Sequence, residues 1–206
     1  GIKPLFIFQT ETGLAFSSEL NALKAVPEIK NRCSINKQAI SSFLHLGYIP
    51  SPLSIYNEVT KFPSGSYAFY KNGQLEVSKY WSKKSLLTKE VFSDEKTALR
   101  KLDLLLNDSI KLRLKCDVPF GTFLSGGIDS SIVTAIAQKN SDNKINSFSI
   151  GFKEKSHSEV LYARQVADHL GTNHHEFIVG EKDALKLVPE MFSSYGEPYA
   201  DSSAIP

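Results

Sequence analysis

Downstream of residue 95 the chain alternates between stretches of helical period and short apolar runs, and this alternation restricts its fold more than any other feature. Ala98, Leu99, Leu102, Leu105, Leu106 and Leu112 recur at helical spacing, which predicts one amphipathic helix over residues 95–114. Val118 to Leu124 then reads as a strand, Ser130 to Lys139 as a helix, Ile145 to Phe152 as a strand and Glu159 to Leu170 as a helix. Glu176 to Val179 reads as a further strand and Asp183 to Phe192 as a further helix. Strands separated by helices of this length rejoin their sheet by crossovers, so they lie parallel. The expectation is an α/β fold built on a doubly wound parallel sheet.

The first 80 residues follow another pattern, β-rich with a single helix. Leu5-Phe6-Ile7-Phe8 and Leu14-Ala15-Phe16 flank Thr10-Glu11-Thr12-Gly13 as a hairpin. Tyr67-Ala68-Phe69-Tyr70 and Leu75-Glu76-Val77 flank Asn72-Gly73, a strong hairpin turn. Ile40, Phe43 and Leu44 predict a helix between Asn36 and Leu46, and Pro50, Pro52, Pro63 and Gly65 break the next segment into loop. A polar, lysine-bearing stretch separates the two patterns. The expected division is therefore 1–80, a connector at 81–95, and 96–206.

Composition excludes several classes. With 24 Lys+Arg against 22 Asp+Glu, 41% hydrophobic and 22% charged residues, the chain is that of a folded globular protein. It carries no basic run to serve as a nucleic-acid footprint. No apolar stretch approaches the roughly 18 residues of a membrane span, and Gly1-Ile2-Lys3-Pro4 lacks the layout of a secretory signal, so a cytoplasmic location is expected. Cys33 and Cys116 form no C-x-x-C and read as buried thiols.

Chemistry concentrates at the junction of the first predicted strand and helix of the second region. Phe123-Leu124-Ser125-Gly126-Gly127-Ile128-Asp129-Ser130-Ser131 combines two glycines that let backbone approach a ligand with three hydroxyls and the unpaired N–H groups of a helix start. The helix terminus adds about half a positive charge, so the loop suits phosphate. Asp129 would repel that phosphate unless a divalent cation lay between them, which makes it a Mg²⁺ ligand and the loop a Mg–polyphosphate site. A Walker A loop is excluded because no lysine stands between Lys115 and Lys139, and neither G-x-G-x-x-G nor G-x-S-x-G occurs there.

At these residues the sequence resembles the N-type ATP pyrophosphatases, whose phosphate loop has the form Ser-Gly-Gly-x-Asp-Ser. Within them it is similar to the glutamine-hydrolysing asparagine synthetase family over nearly the whole chain. The stretches that carry the narrower resemblance are Gly1-Ile2-Lys3-Pro4-Leu5, Phe16-Ser17-Ser18-Glu19-Leu20, Asp117-Val118-Pro119-Phe120-Gly121, Leu170-Gly171-Thr172-Asn173-His174-His175-Glu176 and Gly196-Glu197-Pro198-Tyr199-Ala200-Asp201-Ser202-Ser203-Ala204-Ile205-Pro206. The resemblance implies a pyrophosphatase-loop (adenine nucleotide alpha hydrolase-like) sheet, preceded by the β-rich C-terminal part of an N-terminal-nucleophile glutaminase domain.

It also implies ATP cleavage between the α and β phosphates, an acyl-adenylate of aspartate, and amide formation with ammonia from glutamine. Ser125, Gly126, Gly127, Ser130 and Ser131 would hold phosphate, Asp129 the Mg²⁺, and the main chain at Phe123 and Ile150 the adenine. The family's glutaminase cysteine would stand before Gly1 and its second metal motif, Ser-Gly-x-Gly-x-Asp-Glu, after Pro206, so the chain reads as a window on a longer one and no catalytic side chain is assigned within it. A homodimer is compatible with the resemblance. An acyl-adenylating amidotransferase for another carboxylate and a non-catalytic nucleotide-binding module remain the alternatives.

Other polar residues divide between site and scaffold. Glu197 and Asp201 lie in a proline-containing loop and are candidates on the substrate side. His174-His175-Glu176 lacks metal-ligand spacing, since neighbours on a strand face opposite ways, and reads as structural or pocket-lining. Glu159 and Arg164 read as a solvated or ion-paired helix face. Asn107-Asp108-Ser109 falls inside a predicted helix and is set aside as a glycosylation signal.

Overall fold

The computed structural model describes residues 3–10, 13–83, 92, 94–152, 159–201 and 204. Most of the connector expected at 81–95 lies outside the described residues, as do Gly1, Ile2, Glu11, Thr12, Ser202, Ser203, Ile205 and Pro206. The chain forms two compact units, Gly1–Lys89 with Leu185–Ile205, and Glu90–Ala184 with Pro206.

In the first unit β1 (Phe6–Gln9) and β2 (Leu14–Ser17) form the expected antiparallel hairpin. Two short helices follow, α1 (Leu20–Lys24) and α2 (Pro27–Lys30), and then α3 (Lys37–Leu46). A strand that the prolines concealed, β3 (Val59–Lys61), pairs with the other edge of β1. The order β2-β1-β3 puts β1 in the centre, and Phe6, Ile7 and Phe8 are all buried instead of alternating, so both faces of this strand are covered. The core that holds Phe6 and Phe8 continues through Leu20, Leu23, Ala39, Ile49 and Val59.

Helix α3 starts where Asn36 Oδ1 accepts the Ala39 N–H at 3.1 Å and stops at Gly47, whose φ is +77°. Its inward face is Ala39 and Phe43, whereas Ile40 and Leu44, expected on that face, are exposed. The second hairpin, β4 (Ser66–Lys71) and β5 (Gln74–Lys79), turns at Asn72 and Gly73 with φ +51° and +79°, as a two-residue primed turn requires.

The second unit opens with α4 (Glu95–Arg113), capped by Asp94, whose carboxylate accepts the Thr97 N–H at 2.8 Å. Then come β6 (Gly121–Phe123), α5 (Ile128–Lys139), β7 (Asn146–Phe152), α6 (Val160–Leu170) and β8 (Asn173–Val179). The strands pair in parallel in the order β6-β7-β8, so the α/β expectation holds. Helices α5 and α6 touch each other, which puts both crossovers on one face; the reversal of strand order that would make the sheet doubly wound is not found among the described residues.

Apolar packing gathers Ile110, Ile136, Ala137 and Ile145 under α4, and Leu124, Ala163 and Ala167 under α6. The stripe expected to bury α4 is on the helix, but Leu99, Leu102, Leu105 and Leu112 are exposed; the side that packs is Leu106, Ile110 and Leu114. Burial of both thiols also fails. Cys116 is exposed in the turn after α4, and Cys33 is half-buried against the first unit's core.

The chain passes from one grouping to the other within α7 (Glu181–Tyr195). The residues after it group with the first unit: Ala200 N–H donates to the Gly47 carbonyl at 2.8 Å, and Lys61 pairs with Glu197. Among the described residues no helix is long and apolar enough to cross a membrane.

Candidate functional site

Strand β6 delivers the loop. Its pairing with β7 ends at Phe123↔Phe148, and the Leu124 N–H extends the ladder by one bond, to the Phe148 carbonyl at 2.8 Å. Leu124 is buried and anchors the strand end in the core beneath α6. Beyond it the chain must leave the sheet and start α5 within three residues.

Gly126 makes that turn possible for two reasons. Its φ of +85° lies in the left-handed region, and a Cβ there would stand 2.6 Å from the Ala163 nitrogen and 2.7 Å from the Tyr162 Cβ. Gly127 is the N-cap of α5 and offers the helix no side-chain acceptor. The N–H groups of Ile128, Asp129 and Ser130 consequently meet no acceptor among the described residues. An uncapped helix start beside a glycine cradle presents free N–H donors of the kind that suit an anion.

The loop hydroxyls are turned inward. Ser125 Oγ lies 3.0 Å from Ser130 Oγ and accepts the Gly127 N–H at 3.3 Å. Ser130 Oγ accepts the Ser125 N–H at 3.2 Å, and the hydroxyls of Ser130 and Ser131 donate to the Gly127 carbonyl at 3.1 and 2.7 Å. These bonds preform the loop and can be exchanged for phosphate oxygens by rotation about χ1. Thr134, fully buried one turn along α5, donates to the Ser130 carbonyl at 2.8 Å and lies 3.0 Å from Thr122 Oγ1, tying the helix start back to β6.

Asp129 projects from the first turn of α5 and is exposed. No group of three or more His, Cys, Asp or Glu that could hold a metal occurs among the described residues. A single carboxylate fits Mg²⁺, which keeps several waters and takes phosphate oxygens for the remainder of its shell, and does not fit a cation needing a cage of protein ligands.

A pocket of about 80 Å³ beside the loop is lined by Leu124, Ser125, Ser149, Ile150, Glu159 and Val160. The expected phosphate and metal residues are thus contiguous and Ile150 sits beside them; the Phe123 ring is exposed and does not line this pocket. Glu197 and Asp201 belong to the first unit. Lys61 pairs with the Glu197 carboxylate and donates to the Ile49 carbonyl at 2.5 Å. Asp201 accepts a hydrogen bond from the Tyr199 hydroxyl at 3.3 Å, and its charge holds the Tyr199 pKa above the usual phenol value.

The two histidines face opposite sides of the sheet, as neighbours on a strand must. His175 stacks on Phe148 with ring centroids 5.2 Å apart. His174 turns to the other face, where Nδ1 is 2.8 Å from Ser147 Oγ and Nε2 is 3.4 Å from Ser149 Oγ and 3.6 Å from Glu176 Oε1. Arg164 forks onto both oxygens of Glu176 at 2.8 and 2.5 Å. That hydrogen-bonded pair lowers the Glu176 pKa and raises the Arg164 pKa. Ser149 and Thr134 escape sequence reasoning. A serine in a strand carries no signal of its own, and the one available hint is Ser147 and Ser149 alternating where a buried strand would carry apolar residues.

Residues 101–206 match the model of the asparagine synthase family, and residues 1–81 match the glutamine amidotransferase domain. The putative glutamine-hydrolysing asparagine synthetase 2 of Methanocaldococcus jannaschii is 36% identical over 207 residues, covering 100% of this chain and 40% of that protein. Asparagine synthetase 1 of Bacillus subtilis is 28% identical across 100% of this chain and 32% of its own length. Asparagine synthetase B of Escherichia coli is 31% identical over 146 residues, covering 65% of this chain and 26% of its own length. The chain therefore spans less than half of the curated relatives it matches.

Proposed function

The chain belongs to the asparagine synthase family, and from that premise we propose that its protein forms asparagine from aspartate and glutamine at the expense of ATP. The observation that carries the reading is the loop Ser125–Ser131, an uncapped helix start with a glycine cradle at the carboxyl end of a parallel strand. Ligands of such sheets bind at that edge.

In this reading the side-chain carboxylate of aspartate attacks the α-phosphate, the bond to the β-phosphate breaks, and pyrophosphate leaves. Ammonia released from glutamine then displaces AMP from the acyl-adenylate. Ser125, Gly126, Gly127, Ser130 and Ser131 hold the departing pyrophosphate with N–H and O–H donors already in place, which stabilises charge where it develops. Asp129 holds Mg²⁺, whose contribution when bound is to neutralise polyphosphate charge. Main-chain groups at Phe123 and Ile150 read the adenine. Glu197 and Asp201 serve the substrate side.

The remaining organisation follows from the same premise. Residues 1–80 close a glutaminase-like domain of the N-terminal-nucleophile type, 81–95 link, and 96–206 open a doubly wound pyrophosphatase-loop domain. The substrates are small molecules, the location is the cytoplasm, and two copies associate as a homodimer. Supplying the intact protein with ATP, Mg²⁺, aspartate and glutamine is expected to yield AMP and pyrophosphate. Release of ADP and phosphate would refute the mechanism, and an Asp129→Ala variant of full activity would remove the metal assignment.

A further inference from the structure

We propose that His174 is a positioning residue of the phosphate loop, acting through Ser149 on the peptide that joins Leu124 to Ser125. Donor capacity fixes the direction of the row. Ser149 Oγ is 2.5 Å from the Leu124 carbonyl, which can only accept, so the single Ser149 proton is committed there. The Ser149 oxygen is then left to accept, and because both neighbours of His174 Nε2, Ser149 Oγ at 3.4 Å and Glu176 Oε1 at 3.6 Å, are acceptors, the hydrogen is assigned to Nε2. For the neutral ring this makes Nδ1 an acceptor, and Ser147 Oγ at 2.8 Å supplies the proton. Ser147 Oγ in turn takes one from Thr172 Oγ1 at 2.8 Å. Every hydroxyl from Thr172 to Leu124 therefore donates in one direction.

The row ends on a consequential atom. The Leu124 carbonyl and the Ser125 N–H belong to one rigid peptide plane, so fixing the first orients the second. That N–H donates to Ser130 Oγ, one of the hydroxyls assigned to phosphate. Ladder hydrogen bonding has already stopped at the Leu124 N–H, so the Ser149 hydroxyl is the last tie to the sheet before the loop departs. Ser147 and Ser149 are buried and His174 is nearly so, with Glu176 and its partner Arg164 closing the outer side. On the His174 side solvent therefore has little room to replace a lost member, whereas Ser149 also borders the pocket of about 80 Å³ beside the loop.

The inference deepens the pyrophosphate-loop reading and rests on it for its kinetic consequence, but its structural content is separable. Two measurements on the intact protein test it: exchange of labelled pyrophosphate into ATP with aspartate present, and hydrogen exchange of the Ser125 amide by NMR. Ser149→Ala and His174→Phe are each expected to slow pyrophosphate exchange by roughly 10- to 100-fold, mainly in kcat, because a misplacement near 1 Å costs about that much. The double variant should be no slower than the worse single one. His174→Gln, which returns an N–H donor near the Nε2 position, should recover to within about threefold of wild type. In Ser149→Ala the Ser125 amide should lose protection while amides at the centre of β7 keep theirs. Ser149→Ala alone keeps the test readable should His174→Phe not fold. Wild-type kinetics in Ser149→Ala, or a His174→Gln variant as slow as His174→Phe, overturns the proposal. If the wild type exchanges no pyrophosphate, the functional reading fails, and this inference is decided by the Ser125 amide, whose unchanged protection would overturn it.

Discussion

Replacing Gly126 with alanine probes the loop at its tightest point. The new Cβ would stand 2.6 Å from the Ala163 nitrogen, 2.7 Å from the Tyr162 Cβ and 2.8 Å from the Tyr162 carbonyl carbon, against ordinary contacts of about 3.5–4.0 Å. Two of the three obstacles are backbone of α6, a helix whose Ala163 is fully buried, so the loop has to retreat by about 1 Å. The φ of +85° adds the left-handed penalty of about 1–2 kcal/mol. Overpacking adds about 1–3 kcal/mol. The sum is a loss of about 2–5 kcal/mol in urea unfolding of the intact protein, and the displaced donors should slow ATP–pyrophosphate exchange by roughly 100-fold. Gly127→Ala is the control, because its Cβ would meet nothing closer than Ser125 Oγ at 3.4 Å and its φ is −72°. Gly127 belongs to the proposed phosphate site, so this control is read in stability alone: Gly126→Ala unfolding at the same urea concentration as Gly127→Ala, or exchanging pyrophosphate as fast as wild type, would refute the cradle.

Three further outcomes are expected. Lys61→Met should cost about 3–5 kcal/mol in chemical denaturation, because it strands the mostly buried Glu197 carboxylate, whose Oε2 already lacks a partner among the described residues; Lys61→Met with Glu197→Leu should recover much of that loss, and a double variant no better than the single one would refute the reasoning. The Glu176 pKa is depressed in the folded state, first by its hydrogen bonds from Arg164, so its contribution to stability is present above the unfolded carboxylate value of about 4.3 and is lost as the pH falls through the lower folded value; Glu176→Gln should therefore differ from wild type at neutral pH and converge with it in acid, and a gap that persists in acid would contradict this. Iodoacetamide near pH 8 should label exposed Cys116 well before Cys33, whose thiol pKa is raised by burial and then by Glu58; peptide mass spectrometry showing equal rates would remove that distinction.

Legibility in the sequence depends on the range over which each residue acts. Helices α4, α5 and α6 announce themselves because period accumulates over many residues, and β7 and β8, of 7 residues each, because they stand as runs between those helices. Helices α1 and α2, of 5 and 4 residues, and β3, of 3, are too short for any period, and β3 is held by its register against Phe6, Ile7 and Phe8. The stripe on α4 is legible as a pattern, yet which side packs is decided by α5: of the expected residues Leu106 is inward, joined by Ile110, while Leu102 and Leu105 are exposed.

The site divides in the same way. Ser125, Gly126, Gly127, Asp129, Ser130 and Ser131 act on one another within a single turn, and composition reveals them. Ser149 and His174 acquire their roles only through the register of β7 with β6 and β8, which pairs Phe123 with Phe148, Ser147 with His174 and Ser149 with Glu176. A slip of one residue would turn Phe148 and His175 toward the loop and leave the Leu124 carbonyl without its hydroxyl. Residues that would touch phosphate are thus local in the chain, while those that aim them are assembled by the sheet. A loop of the same composition on a different register would have the donors and lack the peptide orientation that directs them.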